Sequence, residues 1–507
     1  MTLLAEVVRT SAAVAATSSR LAKIRLIADC LRALTPEEIE IALPWLSGDI
    51  RQGKLALGYR TLPSPQAAGA ATLTLRDVDS VFEDLKKTTG RGSASQRAEM
   101  IDALLGKATA EEQDFLVRLI VGELRQGALE GVMLDALASA SGVPAALVRR
   151  AAMIGGGIAP IAKAALTEGA KGLERFSIAP MRPILPMLAQ PAASPKAALE
   201  TLGEAAFEWK LDGARVQVHK SGDEVRVYTR TLNDVTAAVP EVVAAAREAN
   251  SSALILDGEA IALRPDGRPH PFQTTMRRLG RKADDASLRE TLPVSVFFFD
   301  CLYNGESLVD QPLRNRRRVL EEVIPAKTSR WIVTADPATA ESFYQDALHH
   351  GHEGVMAKAL DTPYEAGRRG SGWLKVKRAH TLDLVVIAAE WGHGRRQGKL
   401  SNLHLAARDP AGGFVMLGKT FKGMTDAMLE WQTRELLARK TGGDDWVVQV
   451  RPELVVEIEF SDIQKSTQYP GGFALRLARV KRYRTDKRAE DADTIDSVRA
   501  IHEQGVA

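Results

Sequence analysis

The chain has 507 residues, 45% hydrophobic and 26% charged, which is too long for one core and predicts about two to four globular domains. The formal net charge is only +3, so nucleic-acid binding would have to depend on local basic patches. The two cysteines, Cys30 and Cys301, exclude a cysteine-rich zinc module and a disulfide framework. No apolar run reaches the length of a membrane span and the first residues lack a signal-peptide pattern, so we expect a cytosolic protein without membrane contact.

Residues 1 to about 175 are rich in alanine and leucine at helical spacing, which predicts an all-helical domain. The predicted helices cover 19–34, 36–46, 78–87, 95–105, 110–124 and 129–138, with a loop over 61–72. Thr35 is a typical N-cap, because a proline and two acidic residues follow it. Small basic loops at 90–93 and 125–127 have the chemistry to follow a phosphate backbone, although solvated turns have the same composition.

Four prolines between 180 and 191 indicate a domain boundary. From about 205 to 385, strand and helix patterns mix, which indicates an α+β domain with antiparallel sheets. The predicted strands cover 225–229, 253–256, 294–299 and 382–388, and the predicted helices 239–249, 313–323 and 337–350. Beyond about 383, short strands are predicted over 403–408, 414–420, 447–450 and 454–460, with one helix over 426–439. This count fits a small β-barrel of the oligonucleotide-binding type.

The stretch from Glu208 to Arg215 lies between two strand-like runs, so Lys210 is predicted at a strand end. A lysine is a nucleophile only when neutral, so a site that uses it must lower its pKa from about 10.4 by burial or by nearby cations. Arg215 supplies one cation and has the geometry to bind a phosphate. A surface turn with a solvated charge pair is the alternative for these residues alone.

Further charged and aromatic groups also follow predicted strands. Glu259 and Glu353 are acids of the kind that hold a hard divalent cation. Lys375 and Lys377 share one strand face, where a bound phosphate would relieve their repulsion, and Phe299 could stack on a base. The basic run 476–488 suggests an anionic partner. Taken singly, the acids are more typical of solvated turns and the phenylalanine of a core; a solubilising edge strand and a disordered tail are the alternatives for the lysine pair and the basic run.

Together and in this order, the stretches resemble the motif series of ATP-dependent DNA ligases, which belong to the covalent nucleotidyltransferases. The segment 210–215 resembles the nucleotidyl-lysine motif. The later motifs of the series have counterparts, in the same order, at 228–230, 257–259, 299–300, 353–358, 373–377 and 484–487. The resemblance is to the three-domain bacterial enzymes. It implies a helical DNA-binding domain at 1–178, an adenylation (nucleotidyltransferase) domain at 179–382 and an OB-fold domain at 383–507.

The resemblance also implies a mechanism. Lys210 would take AMP from ATP, the AMP would pass to the 5′-phosphate at a nick in duplex DNA, and the 3′-hydroxyl would displace it. Glu259 and Glu353 would hold Mg²⁺ or Mn²⁺. The implied nucleotide contacts are Glu208, Arg215, Arg230, Glu259, Phe299, Arg369, Lys375 and Lys377. Arg484 and Lys487 would orient pyrophosphate, which requires the last domain to swing about a hinge near 378–383.

Other nucleotidyltransferases remain as alternatives. An RNA ligase or a capping guanylyltransferase would share the core, but the long helical domain fits duplex DNA better. An NAD-dependent DNA ligase is disfavoured by the two cysteines and by the position of Lys210, and the intact motifs argue against a non-catalytic DNA clamp. We expect a monomer that acts in DNA replication, recombination or repair in the bacterial cytosol or nucleoid, with no protein partner indicated.

Overall fold

The computed structural model describes residues 1–506 apart from 54, 56, 59–61, 91, 125, 129, 280–290, 366–371, 379 and 394–395. Its first part is helical, as predicted, and its apolar faces share one core that extends from Leu4 to Leu173. The helices are α1 (Leu4–Ala16), α2 (Arg20–Ala33), α3 (Pro36–Ser47), α4 (Leu75–Lys87), α5 (Ser93–Gly106), α6 (Ala110–Ile120), α7 (Glu130–Ser141), α8 (Ala145–Ile154) and α9 (Ile158–Glu174).

Side-chain caps fix where several of these helices begin. Thr35 forms the predicted start of α3, in a capping box with Glu38. Thr74 and Thr109 begin α4 and α6 in the same way. Helix α6 ends four residues earlier than predicted, and Gly122 follows it with a φ of 74°. Of the two predicted basic loops, Arg91 and Arg125 lie outside the described residues.

Two antiparallel sheets form the middle of the described chain, as the α+β prediction requires. Their strands are β1 (Gln190–Pro191), β2 (Ala205–Lys210), β3 (Ala214–Ser221), β4 (Glu224–Thr229), β5 (Ala253–Ala262), β6 (Val294–Asn304), β7 (Glu306–Ser307), β8 (Trp331–Thr334), β9 (Gly354–Ala359) and β10 (Trp373–Lys377). The first sheet has the order β1-β10-β9-β2-β8 and the second β4-β3-β5-β6-β7; the short β1 pairs in parallel with β10.

Helices accompany these sheets: α10 (Pro195–Leu202), α11 (Pro240–Arg247), α12 (Phe272–Leu279), α13 (Leu313–Val323) and α14 (Pro337–His349). All but α12, which borders the space between the sheets, cover the outer sheet faces. Leu199 of α10 and Phe343 of α14 pack on Phe207 of the first sheet. Val242 of α11 and Leu320 of α13 belong to the core of the second sheet. The uncovered sheet faces remain available for a site.

The last part of the chain is built around one long strand, β11 (His380–Trp391). The elements that follow are β12 (Leu400–Arg408), β13 (Phe414–Thr420), α15 (Asp426–Ala438), β14 (Lys440–Gly443), β15 (Val447–Val450), β16 (Val455–Phe460), β17 (Asp462–Lys465), β18 (Phe473–Arg476), β19 (Arg479–Tyr483) and α16 (Ile495–Val506). Strand β11 pairs with β12 on one side and with β16 and β15 on the other, so the strand predicted at 382–388 belongs to this sheet. The strands of the described residues form no closed barrel, and the predicted barrel is not confirmed. Helix α16 was not predicted.

The linker between the helical part and the sheets is fixed by side chains of the second sheet. Met181, with a φ of 68°, donates its backbone N–H to Nδ1 of His219 at 3.0 Å. The side-chain amide of Gln217 bonds both backbone groups of Ile184, accepting at 2.8 Å and donating at 3.2 Å. The helical part is thereby docked on the sheet that carries β3.

Across the described residues, every helix is too short or too polar to span a lipid bilayer.

Candidate active site

A cavity of about 1070 Å³ lies between the two sheets, and Lys210 is part of its lining. Alternate residues of β2, β9 and β10 face it, because side chains on a strand alternate between the two faces. Lys210 is level with Gly354 of β9, which is level with Lys377 of β10. One step along, Glu208 and Lys375 flank Met356 in the same way. The strand register therefore converts three short segments into one charged floor.

Two glycines permit the close backbone approach at this floor. A Cβ on Gly213 would lie 2.3 Å from the carbonyl oxygen of Ala260. A Cβ on Gly354, which has a φ of 140°, would lie 2.2 Å from the carbonyl oxygen of Val376. Any side chain at either position would push neighbouring strands apart beside Lys210.

Lys210 is held by a carboxylate at the strand end. Its Nζ forms an ion pair with Oε2 of Glu353, whose Oε1 accepts a hydrogen bond from Nζ of Lys377 at 2.6 Å. Burial lowers the pKa of Lys210, but the carboxylates of Glu353 and Glu259 outweigh it and raise the pKa above its usual value. The sequence-based expectation that nearby cations depress this pKa is therefore wrong for this structure, because the acids lie nearer.

The positive charge of Lys210 lowers the pKa of its two charged neighbours, Glu353 and Lys377. Burial would raise the pKa of Glu353, but the ammonium groups of Lys210 and Lys377 lower it. Burial lowers the pKa of Lys377, and the charge of Lys210 lowers it further. Lys377 is thus the lysine of the pair that loses its proton more readily.

All three nitrogen atoms of the Arg215 guanidinium donate hydrogen bonds to other groups of the protein. Its Nε and Nη2 donate to the two carboxylate oxygens of Asp257 at 3.0 and 2.6 Å. Its Nη1 donates to the carbonyl oxygen of Met187 at 2.6 Å. The hydroxyl of Tyr364 donates to Asp257 at 2.7 Å and accepts from the N–H of Met187 at 2.9 Å. This bidentate pair ties the second sheet to the linker, and it occupies donors that the sequence assigned to a nucleotide.

Glu259 and Asp212 add two carboxyl groups to the cavity wall. Burial raises the pKa of Glu259 to about 7, and burial together with Glu353 raises that of Asp212. Oxygen ligands of this type suit Mg²⁺, which takes one or two carboxylates and completes its shell with phosphate and water. Among the described residues no three His, Cys, Asp or Glu side chains are arranged as a finished metal site. The donor set of Glu259 and Glu353 nevertheless fits this cation, since a buried carboxyl with a raised pKa gains from a nearby positive charge.

The deep end of the cavity combines aromatic rings with buried charge. Nζ of Lys358 lies 4.6 Å from the ring centre of Phe299 and 4.3 Å from that of Trp373. It also lies 2.6 Å from Oε2 of Glu208, whose other oxygen is 3.5 Å from Nη1 of Arg317. Burial lowers the pKa of Lys358. Glu208 and Phe299 thus each lie close to Lys358, a residue to which the sequence analysis gave no role.

The remaining predicted residues lie apart from this floor. Arg230 is exposed on the cavity rim. Arg369 falls within 366–371, outside the described residues. Arg484 and Lys487 contact Asp383 instead of the cavity, with Nη1 at 2.8 Å and Nζ at 2.7 Å from its Oδ2.

Arg476 is a cavity residue to which the sequence analysis assigned no role at the site. Its Nη1 donates to Oδ2 of Asp212 at 3.1 Å, and its guanidinium carbon lies 4.4 Å from the ring centre of Phe272. Nearby, Gln273 donates to Gln464 at 2.9 Å. The signal for Arg476 was present in the basic run 476–488, but nothing there distinguished it from its neighbours. Tyr364 was missed because it belongs to no charged or glycine-containing motif.

Comparisons with known proteins agree along the whole chain. Residues 59–138 match the family model described as DNA ligase N terminus, 186–377 match ATP dependent DNA ligase domain, and 396–487 match ATP dependent DNA ligase C terminal region. A protein of Anaeromyxobacter sp. described as a probable DNA ligase is 58% identical over 512 residues, covering 99% of each chain. A probable DNA ligase of Mycolicibacterium gilvum is 55% identical over 510 residues, covering 99% of this chain and 100% of the relative.

A likeness in fold extends over nearly the same length. The solved structure named Pmar-Lig_PreS3 covers 94% of this chain and 99% of its own, with a TM-score of 0.65 and 20% identity.

Proposed function

The chain belongs to the family of ATP-dependent DNA ligases, and on this premise we propose that it joins a 5′-phosphate to a 3′-hydroxyl at nicks in duplex DNA through a lysyl-AMP. The observation that supports this most directly is Lys210 at a strand end, inside a cavity whose floor also presents Lys375 and Lys377. Phosphoryl transfer needs positioned positive charge more than covalent assistance, and this floor supplies it.

In the first step the Nζ of Lys210 attacks the α-phosphorus of ATP. A nitrogen–phosphorus bond forms, the bond to pyrophosphate breaks, and the amine must have lost its proton beforehand. The ion pair with Glu353 stabilises the ammonium form of Lys210. A cation that binds Glu353 in place of Lys210 would therefore lower the pKa of Lys210. Glu259 and Glu353 would hold Mg²⁺ or Mn²⁺, which when bound supplies further neutralisation of phosphate charge.

The nucleotide is placed by the rest of the cavity. We assign Lys375 and Lys377 to the α-phosphate, because both project from the strand next to the end of β9. The base takes the deep end, where Phe299 offers its ring and Glu208 a buried carboxylate. Arg230 on the rim is assigned to the ribose. Arg215 acts mainly as a positioning residue, since Asp257 already occupies it.

Each of the three parts of the chain has a proposed role. We propose that residues 1–178 bind the duplex, that 179–382 form the adenylation domain and that 383–507 form an OB-fold domain which changes its orientation between steps. Support for a barrel comes from the bond of Val480 N–H to the carbonyl oxygen of Lys422 at 2.9 Å, which links β19 to the end of β13. The enzyme would act as a monomer in the bacterial cytosol or nucleoid and would seal nicks that arise in replication, recombination or repair.

The test is to find where AMP is attached. Incubation of the whole chain with radiolabelled ATP and Mg²⁺ should label the protein, and peptide mass spectrometry should place AMP on Lys210; radiolabelled NAD should give no label. Lys210→Ala should abolish labelling, whereas Lys196→Ala, which changes an exposed lysine of α10, should not. Label on another lysine, or labelling of Lys210→Ala, would refute the assignment.

A further inference from the structure

Two buried acids lie side by side on adjacent strands of the C-terminal sheet. Asp383 of β11 is the register partner of Glu457 of β16. Their exposed fractions are 8% and 7%. Acidic side chains are seldom this buried unless they are paired, so each must have a partner of opposite charge.

These two acids divide a cluster of basic side chains between them. Glu457 binds Lys481 at 2.9 Å and Arg482 at 2.6 Å. Asp383 binds neither of these. Its Oδ2 accepts hydrogen bonds from Nη1 of Arg484 and Nζ of Lys487.

The pair on Asp383 is held close together and in a fixed direction. Because both cations contact the same carboxylate oxygen, they lie within the span of one phosphate group. Two positive charges at that spacing would repel each other without the anion between them. Asp486 binds the Nε and Nη2 of Arg484, which fixes the plane of its guanidinium.

The backbone holds Asp383 itself in place. Its N–H donates to Oδ2 of Asp493 at 2.8 Å, and its carbonyl oxygen accepts from the N–H of Asp493 at 2.9 Å. The N–H of Arg484 donates to the carbonyl oxygen of Val455 on β16, the strand that pairs with β11. Asp383 on β11 and the segment that follows β19 are therefore attached to the same sheet.

We propose that Asp383 is a positioning residue for the first step, which sets Arg484 and Lys487 as a two-pronged clamp for the pyrophosphate of ATP. The proposal rests on the proposed function and assigns a role to a residue that does not itself touch the nucleotide. Lys487 carries three donors and Asp383 uses one, so the clamp can bind phosphate oxygens without first being dismantled. A clamp assembled in advance loses less freedom when it binds.

The experiment uses the full-length Asp383→Asn variant, which keeps the size of the side chain and removes its charge. Three reactions are measured: lysyl-AMP formation against ATP concentration, release of ATP from the lysyl-AMP enzyme against pyrophosphate concentration, and sealing of a nick that is already adenylated. We expect the KM for ATP and for pyrophosphate to rise about tenfold to a hundredfold, the range seen when an orienting partner is removed. Sealing of the adenylated nick should stay within about twofold of the wild type, because it involves no pyrophosphate.

Glu457→Gln is the matched control, since it removes an equally buried acid whose partners lie outside the clamp; all three reactions should remain near wild type. Should Asp383→Asn unfold at a clearly lower temperature, Asp383→Glu replaces it, and the same division between reactions is expected with a smaller change. Unchanged KM values, faster adenylation, or an equal loss in sealing would overturn the proposal. A wild-type enzyme that forms no lysyl-AMP would instead refute the proposed function.

Discussion

At the scale of single residues, the charge state of Lys210 depends on competition for one carboxylate. Glu353 serves two lysines, and the pKa of Lys210 is raised mainly because this acid and Glu259 outweigh the effect of burial. An opposite charge within hydrogen-bonding distance shifts a pKa by about 1–3 units. Lys210, the proposed nucleophile, is therefore held in its protonated form, and loss of its proton depends on the partners of Glu353.

Replacement of Glu353 tests this directly. In Glu353→Gln the pKa of Lys210 should fall, so the neutral amine should appear at lower pH. Reaction with an amine-selective acylating reagent, followed at Lys210 by peptide mass spectrometry across pH 6–11, should show a midpoint about one unit or more lower than in the wild type. Lysyl-AMP formation should nevertheless fall by about a hundredfold or more, because a carboxylate needed for the cation is lost.

The control for this prediction is Glu390→Gln, a carboxylate that binds His404 and Lys419 in the C-terminal sheet. Its Lys210 midpoint should match the wild type. An unchanged midpoint in Glu353→Gln would mean that Glu353 does not set the charge of Lys210.

At the scale of elements, polar side chains fix where secondary structure begins and where its ends attach. Glu38 at the start of α3 is an example. It accepts hydrogen bonds from the N–H of Thr2 at 2.7 Å, the hydroxyl of Thr2 at 2.9 Å and the N–H of Thr35 at 3.0 Å. These bonds outweigh burial and lower its pKa to about 2. One carboxylate thus caps a helix and attaches the first residues of the chain to it.

We predict that Glu38→Gln lowers the free energy of unfolding of the helical part by about 1–3 kcal/mol, because the charge-assisted bonds from Thr2 and Thr35 to this buried carboxylate are weakened. In the wild type this contribution is present above the ordinary carboxyl pKa and is lost as pH falls through about 2, since the folded-state pKa is depressed. Denaturant unfolding between pH 7 and 2.5 should therefore show the gap between the two proteins narrowing as acid is added. Glu37→Gln, an exposed neighbour in the same first turn, is the control. A gap that stays constant with pH would refute the prediction.

At the scale of the whole molecule, the C-terminal part of the chain holds two arginines in different surroundings. In this arrangement Arg476 reaches the cavity and pairs with Asp212, while Arg484 pairs with Asp383 away from it. The proposed mechanism needs Arg484 at the cavity in the first step and Arg476 there afterwards, because pyrophosphate is present only in the first step. In the structure, Arg476 is the arginine that lines the cavity.

Two arginines of one region should therefore give opposite defects. Arg484→Ala should lose lysyl-AMP formation by at least about tenfold yet seal an adenylated nick nearly as well as wild type. Arg476→Ala should form lysyl-AMP normally and lose sealing by at least about tenfold, since its contact belongs to the later arrangement. Arg482→Ala, whose partner is Glu457, should affect neither. If both variants fail in the same step, the reorientation proposed for this region is wrong.

The sequence by itself determined much of the candidate site. Each predicted segment is short and contiguous, and a strand fixes which of its residues share a face. The strand period therefore groups Glu208 with Lys210, and Lys375 with Lys377. The pairing of β2 and β10 with β9 then brings these two groups together on the cavity floor. The helical first part and the start of α3 were equally readable, because capping and helical period are local properties.

What only the tertiary structure decided is which charge pairs with which. Arg215 pairs with Asp257, 42 positions away, and Arg484 with Asp383, 101 positions away. The chain has 67 basic and 64 acidic side chains, so composition and spacing allow many pairings. Electrostatic interaction depends on separation and burial, which a sequence does not contain, and so the raised pKa of Lys210 and the clamp on Asp383 could be recognised only once the sheets had brought these residues together.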